Sequence, residues 1–348
     1  MTKRFLVAGL LGLLALSACA RTTTTNARPA DFYAASPTMT DVRQLFGDNN
    51  WWALPPRFGV HPLNADRMSM AVNYQVTQTF VHLGTAELLS ITYYVFDSTS
   101  TATTQMSDLQ TASGTGATGA KLGDQVLYYG QMDTTSAAPY IAIAYVRVGS
   151  SITTVAWTRK DSFPTVSALS TIAKRATSKV KDVVAGKLRA SPQPTLDASQ
   201  LPPAGLNITL LGSTRISVES LALAFGSASA PQQVVDLLHQ GGVTDALYGD
   251  YALNADTHME VRATLVSFST TDMASEWLNL IRGSTPLDAS GIFGTYEDAT
   301  GQYIFAFAAG NKFAQLTCSA AGPSEAAARA CEIPIANEAS AWQLSLGG

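Results

Sequence analysis

Two stretches of this chain carry the same pattern at a fixed distance, and this repeat restricts the possible folds more than any other sequence feature. A constant offset of 172 positions aligns Thr92 with Thr264 and Phe96 with Phe268. Downstream of each pair, apolar residues recur at spacings i, i+4 and i+7, which describe one face of a helix. These residues are Ala102, Met106 and Leu109 in the first stretch and Ala274, Leu278 and Ile281 in the second. Each stretch therefore predicts a strand that runs into an amphipathic helix.

Further signals follow each stretch in the same order. A tight turn at Gly149-Ser150 in the first half and at Gly310-Asn311 in the second separates two strand patterns, and Gly at the first turn position is typical of a hairpin. A helical pattern comes after each hairpin, and Pro334 is expected to interrupt the second helix. With a further hairpin upstream, each half predicts the order β-β-α-β-β-β-α.

The predicted fold class is α+β, with two tandem similar domains that each form an antiparallel sheet with helices on one face. A chain of 348 residues is long enough for two such domains. We expect the first domain over 38–186, a linker rich in Pro and Ser over 187–203, and the second domain over 204–348. Two unrelated α+β units with generic strand and helix patterns are the alternative.

The N-terminus resembles that of bacterial lipoprotein precursors. Two basic residues precede an apolar run over 5–16, which is too short to span a bilayer and suits a secretory signal. Leu16-Ser17-Ala18-Cys19 then matches the lipobox of these precursors. The resemblance implies removal of a signal peptide, residues 1–18, and attachment of lipid to Cys19. An ordinary signal peptide or an N-terminal anchor is the alternative.

Lipid attachment implies a position at the cell envelope. Two or three acyl chains, such as palmitate, hold a protein stably on a membrane. Ala20 stands where enterobacterial lipoproteins carry an Asp for inner-membrane retention, so the outer membrane is favoured in a cell with two membranes. Residues 19–37, rich in Thr, Ala and Pro, are expected to form a flexible tether. The body is similar, in architecture alone, to uncharacterised extracytoplasmic lipoproteins and sensor domains.

Cysteine usage agrees with export. Of the three cysteines, Cys19 is assigned to lipid, which leaves Cys318 and Cys331. An even pair in an oxidising compartment predicts a structural disulfide. Aligned by the two halves, Cys318 corresponds to Trp157 and Cys331 to Ile172, so the disulfide would replace an apolar contact between strand and helix. A redox or metal role is the alternative, but the spacing is not C-x-x-C and no His lies nearby.

Composition and motifs exclude several functions. The net charge of −4 offers no basic surface for nucleic acid. No G-x-S-x-G, H-E-x-x-H or EF-hand motif is present, so we expect no catalytic residue, cofactor or metal. The acidic residues between Asp245 and Glu260 are interpreted as a solvated face. The four histidines are interpreted as surface or polar-network residues; they are His61, His82, His239 and His258.

Trp51-Trp52 is the most unusual local feature. Adjacent side chains on a strand point to opposite faces, so the two indoles cannot share one core. One of them could be exposed and contact a ligand or a partner, such as a glycan or an envelope protein. Alternatively, both pack at a domain edge or at the contact between the two domains.

The sequence predicts a lipid-anchored extracytoplasmic protein with a non-enzymatic binding or scaffold role at the cell envelope. Repeated domains offer a cleft where they meet, which is a common place for a ligand. An envelope hydrolase without a recognisable motif and a sensor partner protein are the alternatives. A Ser or Asp beside a His in that cleft would favour the hydrolase.

Overall fold

The computed structural model describes residues 26–62, 66–114, 116–190, 200–203, 205, 207–225, 231–297, 301–319 and 325–347. Within them the strands form two separate antiparallel sheets, one from each half of the chain. Helices pack on both sheets. The predicted α+β class with two tandem antiparallel sheets is therefore confirmed.

The elements of the first half are α1 (Pro29–Ala35), α2 (Met39–Phe46), β1 (Trp51–Ala53), β2 (Arg57–Gly59), β3 (Tyr74–His82), β4 (Leu88–Val95), α3 (Thr99–Ser113), β5 (Gln125–Met132), β6 (Tyr140–Val148), β7 (Ser151–Arg159), α4 (Val166–Thr177) and α5 (Val180–Val184). The elements of the second half are β8 (Ile208–Arg215), α6 (Val218–Phe225), α7 (Pro231–Gln240), β9 (Val243–Leu253), β10 (Asp256–Phe268), α8 (Thr271–Arg282), β11 (Phe293–Glu297), β12 (Gln302–Ala309), β13 (Lys312–Ser319) and α9 (Glu325–Ser345).

The two sheets share one strand order. The first sheet, β1–β7, runs β3-β4-β7-β6-β5, with β1 and β2 both paired to the outer edge of β3. The second sheet, β8–β13, runs β9-β10-β13-β12-β11, with β8 at the corresponding edge of β9. In each half a helix follows the first hairpin, and another helix follows the last strand. This is the order that the sequence repeat predicts.

The pairing also confirms the alignment of the two halves. Leu89 on β4 pairs with Trp157 on β7, and Val261 on β10, 172 positions after Leu89, pairs with Cys318 on β13. Cys318 thus occupies the position of Trp157, as predicted. Trp157 and Ile172 belong to one buried cluster on the first sheet, so this strand and this helix contribute to one core in the first half as well.

The local signals behave as expected. Ser98 and Thr270 are the N-caps of α3 and α8, and each side chain accepts a hydrogen bond from the backbone N–H three residues on. Gly149 and Gly310 begin the two hairpin turns with φ of 59° and 56°, a region that Gly enters without steric cost. Pro334 differs from expectation because α9 continues through it.

The helices lie on both faces of each sheet, which corrects the prediction of one face. Ala144 and Tyr145 are neighbours on β6, and they belong to different buried clusters. Ala144 packs with residues of α4, whereas Tyr145 packs with residues of α3. In the second sheet, α9 packs on one face and α8 packs on the other. Strands buried on both faces carry apolar residues at successive positions, so alternation could not reveal the second layer.

The cysteine pair lies where the sequence predicts it. Cys318 on β13 and Cys331 on α9 are at disulfide-bonding distance, with Cα atoms 6.2 Å apart. Both are fully buried in the cluster that also holds Trp342 and Phe307. The bond therefore joins a strand to the helix that covers it.

The predicted tether is wrong for its described part. Residues 29–35 form α1, and Phe32 is fully buried against Tyr74 and Tyr93. This short helix is stabilised by a hydrophobic contact with residues far along the chain. The periodicity of the local sequence does not indicate such a contact. Residues 19–25 lie outside the described residues, as do the signal peptide and Cys19.

Both described ends of the predicted linker are packed. At one end, the backbone N–H of Ala190 donates to Asp31 of α1. At the other, Leu201 is buried and the carbonyl of Pro202 accepts from Tyr251. Residues 191–199 lie outside the described residues, and the domain boundaries remain predictions. None of the helices in the described part of the chain has the length and apolar content to cross a bilayer.

Candidate functional site

The two tryptophans are buried, so of the two interpretations of this pair the structure supports packing at the contact between the halves over an exposed indole that contacts a ligand or partner. Trp51 is 2 % exposed and stacks on Phe46 in the core of the first sheet. Trp52 is 6 % exposed and belongs to the cluster of α6 in the second half, with Leu221 and Ala222. They do face opposite cores, as strand alternation requires. Trp52 thereby helps to join the two halves.

A cavity lies at the seam, which we define as the contact region between the two sheets. This seam cavity has a volume of about 790 Å³. Its lining comes from β3 and β4 of the first sheet, the 54–57 connection, and α6, α8 and β9–β13 of the second half. Volumes of this size suit a ligand of tens of atoms.

The floor of the cavity is one face of the second sheet, and its chemistry changes along the strands. On β10 the residues of this face are Val266, Thr264, Arg262 and Glu260, at intervals of two. Strand register sets further residues beside each of them. Val266 pairs with Phe313 in an apolar row, Thr264 pairs with Gln315, and Arg262 pairs with Thr317. This face therefore runs from apolar through neutral polar to charged, and its polar and charged rows line the cavity.

The opposite wall carries hydroxyl groups of the first sheet. Thr77 and Thr79 on β3 and Ser90 on β4 line the cavity. Thr77 Oγ1 lies 3.2 Å from Thr92 Oγ1, and Thr79 Oγ1 lies 3.1 Å from Ser90 Oγ. These cross-strand pairs form a hydroxyl ladder that faces the second sheet.

The apolar end of the cavity lies beside the helices of the second half. Leu223 and Phe225 of α6 and Ile281 of α8 line it, together with Phe293 of β11. Phe225 and Phe313 form an edge-to-face pair with ring centroids 5.7 Å apart. This end is continuous with the buried cluster of α6, α7 and α8.

The charged end is built from residues of both halves. Arg57 of β2 forms an ion pair with Glu260 of β10. Arg262 Nη2 donates to the other oxygen of Glu260 at 2.8 Å, and Arg262 Nε lies 3.7 Å from Asp250 Oδ1. Both guanidinium side chains line the cavity. Glu260 bridges them and holds the two halves together at this point.

Asp250 anchors the second half to β2. Its Oδ2 accepts the backbone N–H of Phe58 at 2.6 Å, and its Oδ1 accepts the Tyr248 hydroxyl at 3.0 Å. Burial raises the pKa of Asp250 to about 6, although Arg262 and the N–H of Phe58 act against that rise. Burial also raises the pKa of Tyr248 well above its ordinary value, so this phenol remains a hydrogen-bond donor.

The repeat explains why the cavity is asymmetric. Ser90 and Arg262 occupy equivalent positions, 172 residues apart on β4 and β10. Their partners on the preceding strands, Thr79 and Asp250, are equivalent as well. A hydroxyl pair in the first half thus corresponds to an ion pair in the second. The two sheets meet through the same face of the repeated unit, and divergence between the halves makes one side of the cavity neutral and the other charged.

Sequence reasoning did not identify Arg57 or Arg262. The signal for Arg262 was present, because Glu260, Arg262 and Thr264 alternate with the apolar Val261 and Ala263. This alternation predicts a strand with one polar face, but it does not show that the polar face lines a cavity. Arg57 carries no such signal, since its role depends on residues about two hundred positions away.

The acidic residues do not form a uniform solvated face. Asp250 is 3 % exposed, which corrects that interpretation, whereas Asp245 binds Arg215 at 2.5 Å. His61 and His258 stack across the seam with ring centroids 4.1 Å apart. Within the described residues, no group of three or more His, Cys, Asp or Glu side chains could hold a metal ion.

No protein-family model matches this chain, and neither a curated protein nor a solved structure matches it. The function therefore has to be inferred from the geometry of the seam cavity itself.

Proposed function

We propose that this chain is a lipid-anchored extracytoplasmic protein of the cell envelope that binds a ligand in the seam cavity without transforming it. The seam cavity, about 790 Å³ and lined by both halves, is the observation that carries the binding role. The anchor at Cys19 and the envelope location rest on the lipobox of the sequence.

The lining supports binding because it presents several polar groups to the cavity. The side chains of Thr264, Gln315 and Thr317 line it from neighbouring positions on β10 and β13. A small set of polar groups around a space of this size suits a polar ligand.

The chemistry of the charged end also favours binding over hydrolysis. The oxygens of Glu260 and Asp250 already accept hydrogen bonds or ion pairs from the protein. A carboxylate engaged in this way holds its neighbours in place, and both of its oxygens are already in use by the protein. Ser90 lines the cavity, but its hydroxyl lies against Thr79 and not against a histidine.

A blocked-cavity variant tests this proposal. Gln315→Trp places an indole into the cavity from its floor, and Gln232→Trp makes the same change on the exposed surface of α7. The full chain and both variants are screened by thermal shift against envelope sugars, peptidoglycan fragments and lipids. A ligand at 100 times its Kd should add about 2.7 kcal/mol to the unfolding free energy.

We expect a ligand that stabilises the wild type and Gln232→Trp but not Gln315→Trp. The unliganded stability of each variant shows that it folds. A ligand that stabilises Gln315→Trp as strongly as the wild type would place the binding site elsewhere. No stabilisation by any member of the panel would argue for a structural or scaffold role.

A further inference from the structure

We infer that the seam cavity binds an amphipathic anion, a molecule with an acyl-like apolar part and a carboxylate or phosphate head. This inference rests on the proposed binding function and names the ligand class for the same site. Phe225 at the apolar end contacts Phe313, which pairs with Val266 four strand residues from Arg262, so the two ends of the cavity are about 14 Å apart along β10. A single ligand therefore meets both ends only if it is itself amphipathic and extended.

The charged end has more donors than acceptors to offer. Both oxygens of Glu260 are engaged by guanidinium groups, and both oxygens of Asp250 accept hydrogen bonds. The two guanidiniums together carry ten N–H donors, following the usual count of five for each arginine. Two of these nitrogens, Arg57 Nη1 and Arg262 Nε, are buried and make no hydrogen bond within the described structure. Both arginine side chains also line the cavity, and carboxylate and phosphate oxygens are the acceptors that fit a guanidinium best.

The same count argues against other ligand classes. A cation would meet the positive charge of two guanidiniums, and the oxygens of Glu260 and Asp250 are already engaged by the protein. A sugar needs donors and acceptors in comparable numbers and gains nothing from an aliphatic end. The apolar end, formed by Leu223, Phe225 and Ile281, accommodates an aliphatic chain and excludes water from it.

Four ligands with the same ten-carbon chain test the head group. Decanoate, decyl phosphate, decan-1-ol and decyltrimethylammonium are titrated into the full chain by calorimetry, each below its micelle-forming concentration. We expect at least one of the two anions to bind about ten-fold more tightly than the alcohol, the value of one charge-assisted contact. The ammonium compound is expected not to bind. The two anions distinguish a carboxylate ligand from a phosphate ligand.

Two variant pairs test the two ends. Arg262→Gln should remove the preference for the anion over the alcohol, whereas Arg175→Gln, which alters an ion-paired arginine far from the cavity on α4, should leave it unchanged. Ile281→Asn should weaken every ten-carbon ligand. Leu280→Asn on the exposed side of the same helix should weaken none of them.

A further variant, Glu260→Gln, distinguishes a direct effect on ligand affinity from a loss of binding caused by misfolding. This change removes the negative charge and one of the two acceptor oxygens, which loosens the hold of the protein on both guanidiniums. We expect it to tighten decanoate or decyl phosphate by about ten-fold, a gain that a damaged fold cannot produce.

Equal affinity for the anions and the alcohol, or a preference for the ammonium compound, would overturn the inference. So would binding of a sugar or peptidoglycan fragment that Gln315→Trp abolishes when no ten-carbon ligand binds. In that last case the proposed binding function would stand while its ligand class would be wrong.

Discussion

Asp250 shows how strongly a single residue can depend on the seam. Its carboxyl group is fully enclosed by Phe58, Tyr248, Arg57 and Arg262, and burial raises its pKa from 3.8 to about 6. Asp66, buried beside Tyr94 and near Arg57, has its pKa raised to about 6 for the same reason. An acid with a raised pKa in the folded state binds its proton more tightly there than in the unfolded chain.

This predicts an unusual pH dependence. Between about pH 4 and 6 the folded state holds more protons than the unfolded state, so the free energy of unfolding should fall as pH rises through that window. A shift of about two units in one group corresponds to a fall of at most about 3 kcal/mol. Asp250→Asn removes one of the two groups and should make the fall shallower. Urea unfolding at a series of pH values from 4.5 to 7.5 measures this fall in the free energy of unfolding for the wild type and the variant.

Asp256→Asn provides the matched control. Asp256 is exposed, and the N–H of His258 lowers its pKa, so its titration lies below this window. Its removal should leave the fall between pH 4.5 and 6 intact. If the fall in Asp250→Asn equals that of the wild type, Asp250 is not a source of it.

Residue-level prediction succeeded where the cause was local. The opposite orientation of Trp51 and Trp52 follows from strand geometry, and the caps Ser98 and Thr270 follow from their place before an apolar helix face. The roles of Arg57 and Arg262 did not follow, because each depends on a partner or a cavity that only the packing of two sheets creates.

At the scale of elements, periodicity predicted the repeated strands and helices but missed α1. Seven residues cannot form a stable isolated helix, so α1 exists because Phe32 is buried against the first sheet. The helices α3 and α8 were predicted, but their position on the second face of each sheet was not. Strands apolar on both faces, such as β6, leave no alternation from which a second layer could be inferred.

The disulfide between β13 and α9 should contribute measurably to stability. The cysteines are 13 residues apart, and closing a loop of about 15 residues is worth on the order of 3 kcal/mol in the chain-entropy model. The double variant Cys318→Ala/Cys331→Ala should therefore unfold at a lower urea concentration than the oxidised wild type. Reductant should lower the wild-type midpoint and leave that of the double variant unchanged. If reductant leaves the wild-type urea midpoint unchanged, the prediction is wrong.

For the whole molecule, the repeat predicted two similar sheets without predicting how they meet. The facing surfaces are equivalent in the two halves, but their residues have diverged. Ser90 and Thr79 are neutral where Arg262 and Asp250 are charged. The cavity and its polarity therefore arise from differences between the halves, which alignment of the repeat treats as mismatches.

Phe58 of the first half packs directly against the second half. Its ring is 2 % exposed, and its backbone N–H donates to Asp250 of the second half. The ring lies directly over Gly212 of β8, where a Cβ atom would stand 2.5 Å from Phe58 Cγ. Only a residue without a side chain allows this approach.

Gly212→Ala should therefore destabilise the molecule at the seam. The added methyl group cannot be accommodated unless Phe58 moves, and the hydrogen bond to Asp250 restrains that movement, so we expect a loss of about 1–3 kcal/mol in urea unfolding. Phe58→Leu in the Gly212→Ala background should recover part of this loss, because the smaller side chain gives the methyl group room. Ser213→Ala, one residue away on the same strand, should change stability by no more than about 0.5 kcal/mol. Strict additivity of Gly212→Ala and Phe58→Leu would show that the two residues do not compete for space, and that β2 and β8 meet less tightly than the structure describes.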